Sequence, residues 1–474
     1  MEIINYYHRL FNGSLLFLAF LFSCGEEISP AVVDDILEGC NDTYALNFDE
    51  RSAFPGNTCE YAPVACSECD YVVEANEIGL DNDELQLPPG STIGIKGGNR
   101  DVLNIQNFNG TTDKPFYFIN CDGQAIISLS DTPEAIRIRN SSHVRLTGTG
   151  SSDKYGLVIA NGTHGIRAYQ KADNLEIDHL EVSNVGVGIW AVTRPLCDGS
   201  LNKGTYVQEN IKIHHNYVHD VHGEGMYIGG SKWDVGFDNT DCPGEKLLQA
   251  DLKGIHVYNN IVENTGWDGI QVGGAIEDCE IFNNIVRNYG LENVTIHQAG
   301  LMINPGTTGK IYSNLIEGGT GNAIHIIGFD NLVYSNVILN CKANAVHLGD
   351  RDPFSAKSYR ILNNTFINIS GDALHNNSSE SVSNVFYNNF MASIEGEAYF
   401  NSSDNTDISH NILSETLDGF LFEDIDILDY TPMTGSVLLD SGQMYNNDEL
   451  LVDFMMRPRL VGESLDIGAF EKQE

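Results

Sequence analysis

Positive charge is the scarcest property of this chain: 26 Lys and Arg stand against 66 Asp and Glu in 474 residues, a formal net charge of −40. A surface this negative repels a phosphate backbone, which excludes nucleic acid as a general partner. Charge of either sign is thin, at 19% of residues, so Asn, Ser, Thr and Gly must supply most of the polar surface. Beyond the N-terminus no stretch is long and apolar enough to cross a bilayer as a helix. Nothing reads as an amphipathic helix. A Gly-rich phosphate loop, an HExxH pattern and a Ser-His-Asp spacing are also missing, which removes the familiar nucleotide, zinc-protease and serine-hydrolase chemistries. What is present, 42% hydrophobic and 9% aromatic residues, is enough for a core and argues against global disorder.

Leu15 to Phe22 form an apolar run behind Arg9, of the length of a signal-peptide core. Leu21-Phe22-Ser23-Cys24 resembles the lipobox of bacterial lipoproteins, and Gly25-Glu26-Glu27 resembles the surface-export signal of Bacteroidota lipoproteins. The resemblance implies a signal peptide over 1–23, lipidation of Cys24, and an anchor with a Cys-bounded segment over 24–65. It places the protein on the outer membrane, lipid-anchored and facing outward. An ordinary signal peptide with an incidental cysteine is the alternative. Cys40 and Cys59 bracket a short Asp/Asn-rich stretch that resembles a small module of Bacteroidota secreted proteins, and a disulfide between them is expected. Cys197 and Cys242 flank an inserted region and form the second expected pair. Cys66 and Cys69 are spaced C-x-x-C, without the second pair that a zinc site needs. Cys121, Cys279 and Cys341 are expected to lie buried singly.

An internal repeat decides the architecture. A phrase of apolar residues around an asparagine recurs as IHHNYVHDV (213–221), VYNNIVENT (257–265), IFNNIVRNY (281–289) and IYSNLIEGG (311–319). It continues as VYSNVILNC (333–341), ILNNTFINI (361–369), VFYNNFMAS (385–393) and ISHNILSET (408–416). The marker residues are Asn216, Asn260, Asn284, Asn314, Asn336, Asn364, Asn389 and Asn411, with a shortest spacing of 22. Short period-2 runs between Gly/Asn turns, three per coil, predict an all-β, right-handed parallel β-helix solenoid over 66–430. The asparagines should stack at one turn, each amide bonding its copy in the next coil. At this point the chain resembles the pectate-lyase-like β-helix proteins of Bacteroidota, and SVLLDSG (436–442), RPR (457–459) and DIGAFE (466–471) resemble their closing segment. That resemblance implies a C-terminal cap over 431–474. It says little about activity, because the fold hosts many.

Aligning the second half of each coil gives a column of outward residues: Arg167, Trp190, Tyr227, Gln271, Met302, His325, His347 and His375. Aromatic, cationic and imidazole groups stacked coil after coil suit an extended glycan, with rings against sugars and polar tips reading hydroxyls or carboxylates. A decorated solvent face is the competing reading. Glu224 and Asp268 fall at equivalent positions in adjacent coils, ~5 Å apart if stacked. That distance suits a carboxylate pair for acid/base work or a shared Ca²⁺, the one cofactor the sequence raises. Asn322, Asn344, Asp372 and Glu397 recur near the same position, so turn preference explains part of the pattern. His222 and Trp267 crowd the same spot. Insertions at 193–205 and 231–251 should overhang it and bring Arg194, Lys203 and Lys232. Residues 131–260 hold 12 of the 26 basic residues and 361–456 hold none, which fits an anionic glycan in a locally cationic trough.

Three functional readings follow. In a polysaccharide lyase, Arg194, Lys232 or a Ca²⁺ on Glu224 and Asp268 neutralises a uronate carboxylate, and His325 or Tyr227 takes the C5 proton. In a glycoside hydrolase, Glu224 and Asp268 are the carboxylate pair. Arg167, Trp190, Trp267, Gln271, His222, His347 and His375 are the expected substrate-binding residues, and in a non-catalytic surface lipoprotein the trough only binds. A monomer is expected in each case.

Overall fold

The computed structural model of the chain describes residues 39–49, 52, 58–128, 134–351, 358–401, 405–445, 452–462 and 464–473. The signal segment and Cys24 lie outside the described residues. Parallel strands run from Tyr71–Val73 to Ile412–Ser414 and stack into a 23-stranded and a 12-stranded sheet wound about one axis. This is the right-handed parallel β-helix that the repeat demands. Alternation sets the core: Ile189, Met226, Ile270, Leu301, Ile324, Val346 and Leu374 lie side by side in register, each with no exposed surface.

The asparagine ladder runs unbroken through the buried turn. Each Nδ2 donates to the next Oδ1, from Asn216 through Asn260, Asn284, Asn314, Asn336, Asn364 and Asn389 to Asn411, at 2.9–3.0 Å. The second amide proton reaches backbone carbonyls, so a chain of buried polar groups is satisfied. The residue before each ladder asparagine is left-handed, including His215, Asn259, Asn283 and Asn363. Asn and His tolerate that conformation better than bulkier side chains.

The C-terminal segment packs along the flank of the later coils. Leu438, Phe454, Ile467, Ala469 and Phe470 bury against Leu315, Val337, Ile367 and Phe390. Ser313 and Asn363 side chains donate to carbonyls of Asp453 and Asp466 at 3.0 Å. Disulfides join Cys40 to Cys59 and Cys197 to Cys242. A third joins Cys66 to Cys121, correcting the expectation that Cys121 is single. Cys69, Cys279 and Cys341 are free thiols.

Candidate functional site

The outward column is the central row of the 12-stranded sheet. Strand register pairs Arg137 with Arg167, then Trp190, Tyr227, Gln271, Met302, His325, His347, His375 and Phe400, one per coil. Beside it runs a second column three residues earlier in each coil. Glu224, Asp268, Ala299, Asn322, Asn344, Asp372 and Glu397 follow one another through backbone hydrogen bonds.

The column is less open than the alternation suggests. Trp190 and Met302 are 7% exposed and Gln271 only 1%. Arg194 of the first insertion lies over Trp190, and the two insertions are tied together by Cys197–Cys242 and by Lys203 N–H donating to the Leu248 carbonyl at 3.1 Å. Arg351 pins the second insertion through Asp234. The Tyr227 hydroxyl donates to Ser231 Oγ at 2.9 Å, and burial pushes this phenol up. A phenol held protonated and already bonded is a poor base, which counts against Tyr227 in that role. Trp190 is instead a platform for cations: the Arg167 and Arg194 guanidiniums lie 4.5 and 5.4 Å from its ring centroid. Arg194 and exposed Lys232 also approach the Phe237 ring, at 5.9 and 5.6 Å.

His325 does not join this group. It lies three strand steps from Tyr227 in the register, ~14 Å along the axis. Burial lowers His325 to about 4, and burial with its imidazole neighbours lowers His347 to about 3. His325, His347, His375 and Phe400 form an aromatic run with centroids 4.4–4.8 Å apart, His325 edge-on to His347 and the other pairs stacked. The structure therefore separates the preferred base of the lyase reading from the carboxylate pair.

The carboxylate pair does come together, around a residue that the repeat analysis missed. Glu224, Asp268 and His297 present ligand atoms within 4.8 Å of one another. His297 Nδ1 lies 3.4 Å from Asp268 Oδ2 and 3.9 Å from Glu224 Oε1. Asp268 Oδ1 accepts the Ala299 N–H at 2.7 Å. Glu224 and Asp268 are 3% and 0% exposed, whereas the His297 side chain keeps 24%. Its ring stacks on Trp267 at 4.6 Å. His297 reaches this place because the loop between strands Ile285–Arg287 and Leu301–Ile303 folds back over the coil. Gly290, Leu291 and Glu292 N–H groups donate to Trp267, Thr265 and Gly266 carbonyls. Its only sequence signal is the extra length of that coil, 30 residues between ladder asparagines. His222, 71% exposed, approaches Glu292 of the same loop at 3.5 Å.

Burial, and then the charge of Asp268, push Glu224 up to about 7. Burial also raises Asp268, partly offset by His297 and the Ala299 N–H. His297 goes the other way from a lone buried imidazole: burial would depress it, but Asp268 and Glu224 outweigh that and raise it. Two carboxylates and an imidazole nitrogen are not the cage of six to eight oxygens that Ca²⁺ takes. Three groups among the described residues are spaced to hold a metal ion, this one and two near the N-terminal segment.

No family model matches the chain, and no curated protein matches it. Among solved structures it is similar to the pectate lyase Pel9A, with 12% identity over 86% of this chain and 100% of that one, at a TM-score of 0.49. A GH136 lacto-N-biosidase from Eubacterium ramulus aligns at 12% identity and a TM-score of 0.51. That alignment covers 69% of this chain and spans 62% of the biosidase. At such identities the likeness is one of fold, and the fold is the parallel β-helix.

Proposed function

We propose that this protein is a carbohydrate-active enzyme that cleaves an anionic, uronate-containing polysaccharide by β-elimination. The observation that carries the reading is the Asp268–His297 pair. A buried carboxylate lies 3.4 Å from Nδ1 of a partly exposed imidazole, an ion-pair approach, in the same region as Arg167, Arg194 and Trp190. An imidazole oriented by a carboxylate is the standard way to poise a base near neutrality. Arg194 would face the C6 carboxylate and ease the loss of the C5 proton to His297. The C5–H electron pair forms the C4=C5 double bond, the C4–O4 bond breaks, and O4 leaves with a proton. Glu224, held protonated near neutral pH, is the group suited to donate it.

Hydrolysis is the second reading, favoured by the closeness of Glu224 and Asp268. It asks Asp268 to reach a sugar ring or water, although this side chain is fully buried with one oxygen committed. Unsaturated products from a uronate panel support elimination. Saturated reducing ends alone support hydrolysis, and glycan retention without turnover makes the trough a binding site. The setting we propose is the outer-membrane surface, anchored through Cys24. Mass spectrometry of the N-terminal peptide tests it, an unlipidated Cys24 removing the anchor.

A further inference from the structure

The Cys40–Cys59 segment and the residues just after it insert Asp42 and Tyr61 into the turn face of the solenoid, where they meet His179 and His215 of successive coils. Asp42 and His179 are 1% exposed and His215 is 9%. His179 Nδ1 is engaged by Asp178 Oδ1 at 2.7 Å, and Arg145 fixes Asp178 with two bonds of 2.8 and 3.1 Å. That arrangement makes Nδ1 a donor and leaves Nε2 to face Asp42 Oδ2 at 3.0 Å. The Tyr61 hydroxyl lies 2.8 Å from that oxygen and 2.7 Å from that nitrogen. In a neutral ring, Nε2 and Oδ2 are both lone-pair atoms, and one phenolic proton has to serve both. A positive centre belongs between them.

We infer that this centre is a divalent transition-metal ion of the Zn²⁺ class, held by Asp42, His179 and His215 with Tyr61 at the fourth position. Two imidazoles and a carboxylate are a zinc donor set, and the Asp178 contact to Nδ1 is the outer-shell orientation such ligands receive. A second proton on His179 is the competing source of positive charge, and metal analysis separates the two; His215, whose ring stacks on His179 with centroids 5.1 Å apart, brings a further nitrogen donor to the pocket. His215 Nε2 meets the Asn259 amide at 3.0 Å, a bond the ion replaces. The preceding coil carries His179 at this left-handed turn position and the next two carry Asn259 and Asn283, so the two histidines fall in adjacent coils. The ion would staple the N-terminal segment to the solenoid, on a turn face and not in the outward column of the glycan trough.

The same equivalence supplies a benign variant. His215→Asn gives this coil the residue the next two coils already use. The purified full-length mature protein is loaded with Zn²⁺, dialysed and analysed for metal, then titrated with Co²⁺ as an optical probe. The expected result is about one equivalent of Zn²⁺ and a tetrahedral Co²⁺ band, both retained by Glu224→Gln and lost at least tenfold in folded His215→Asn. A wild-type protein that retains no metal, or equal retention by His215→Asn, overturns the assignment. A folded His179→Asn variant serves as the second test, and equal retention there also overturns it.

Discussion

Replacing Glu224 by Gln should stabilise the protein at high pH while impairing its activity. In the unfolded chain this carboxyl ionises near 4.5; in the folded protein it holds its proton to about 7. The folded value is the raised one, so the group's contribution is fully present below about pH 4.5 and is lost as pH climbs to 7. The lost amount is about 3 kcal/mol, from 1.36 kcal/mol per pH unit across that window. Gln has a similar shape and no charge to bury, so its stability relative to wild type should rise by about 2–3 kcal/mol between pH 4 and pH 8.5, whatever its baseline offset. Urea unfolding of both proteins at the two pH values measures the difference. A difference that stays flat with pH, or moves against Gln, refutes the claim that Glu224 is a buried, proton-holding acid. In Asp268→Asn the window for Glu224 should narrow, because the neighbouring charge is gone.

His297→Gln should lower kcat by about 10²–10⁴-fold, the span for a positioned base, with modest change in KM; unchanged kcat removes His297 from the chemistry. Steady-state kinetics of His325→Ala should stay within about twofold of wild type, since this imidazole sits two coils beyond Asp268, whereas a loss like that of His297 would restore it as the base. Trp190→Ala removes the ring beneath two guanidiniums and should raise KM by about fivefold through their disorder, and an unaltered KM rules out the trough as the substrate site. Asn314→Ala strips the ladder of donors and acceptors on both sides and should cost about 3 kcal/mol or more in urea unfolding. Half-buried Asn411, at the ladder's end, should cost about 1 kcal/mol; equal losses at the two positions would mean that the ladder is not cooperative.

The parts of the site that obey the coil period were legible in the sequence. The ladder asparagines, the outward column from Arg167 to His375 and the equivalence of Glu224 with Asp268 all follow from one spacing rule, because a parallel stack fixes which residues are neighbours. What breaks the period was not. His297 belongs to a loop that leaves the coil and returns over it, so no alignment of repeats could place it. Trp190 and Gln271 point outward as alternation requires and are nevertheless buried, Trp190 beneath the Arg167 and Arg194 guanidiniums. Cys121 found Cys66 across 55 residues, a contact made only once the first coils have stacked. Environment also separates the histidines: burial depresses His325, whereas Asp268 and Glu224 reverse its effect on His297.

The central claim is proton abstraction at a uronate by an imidazole paired with a buried carboxylate. Its most direct measurement is product analysis of wild type and His297→Gln on a panel of uronate polysaccharides, by ultraviolet absorbance and mass spectrometry together. The account predicts oligosaccharides with an unsaturated, ultraviolet-absorbing terminal residue from wild type, and almost none from His297→Gln. Products with only saturated ends, or unsaturated products made equally well without His297, would contradict it.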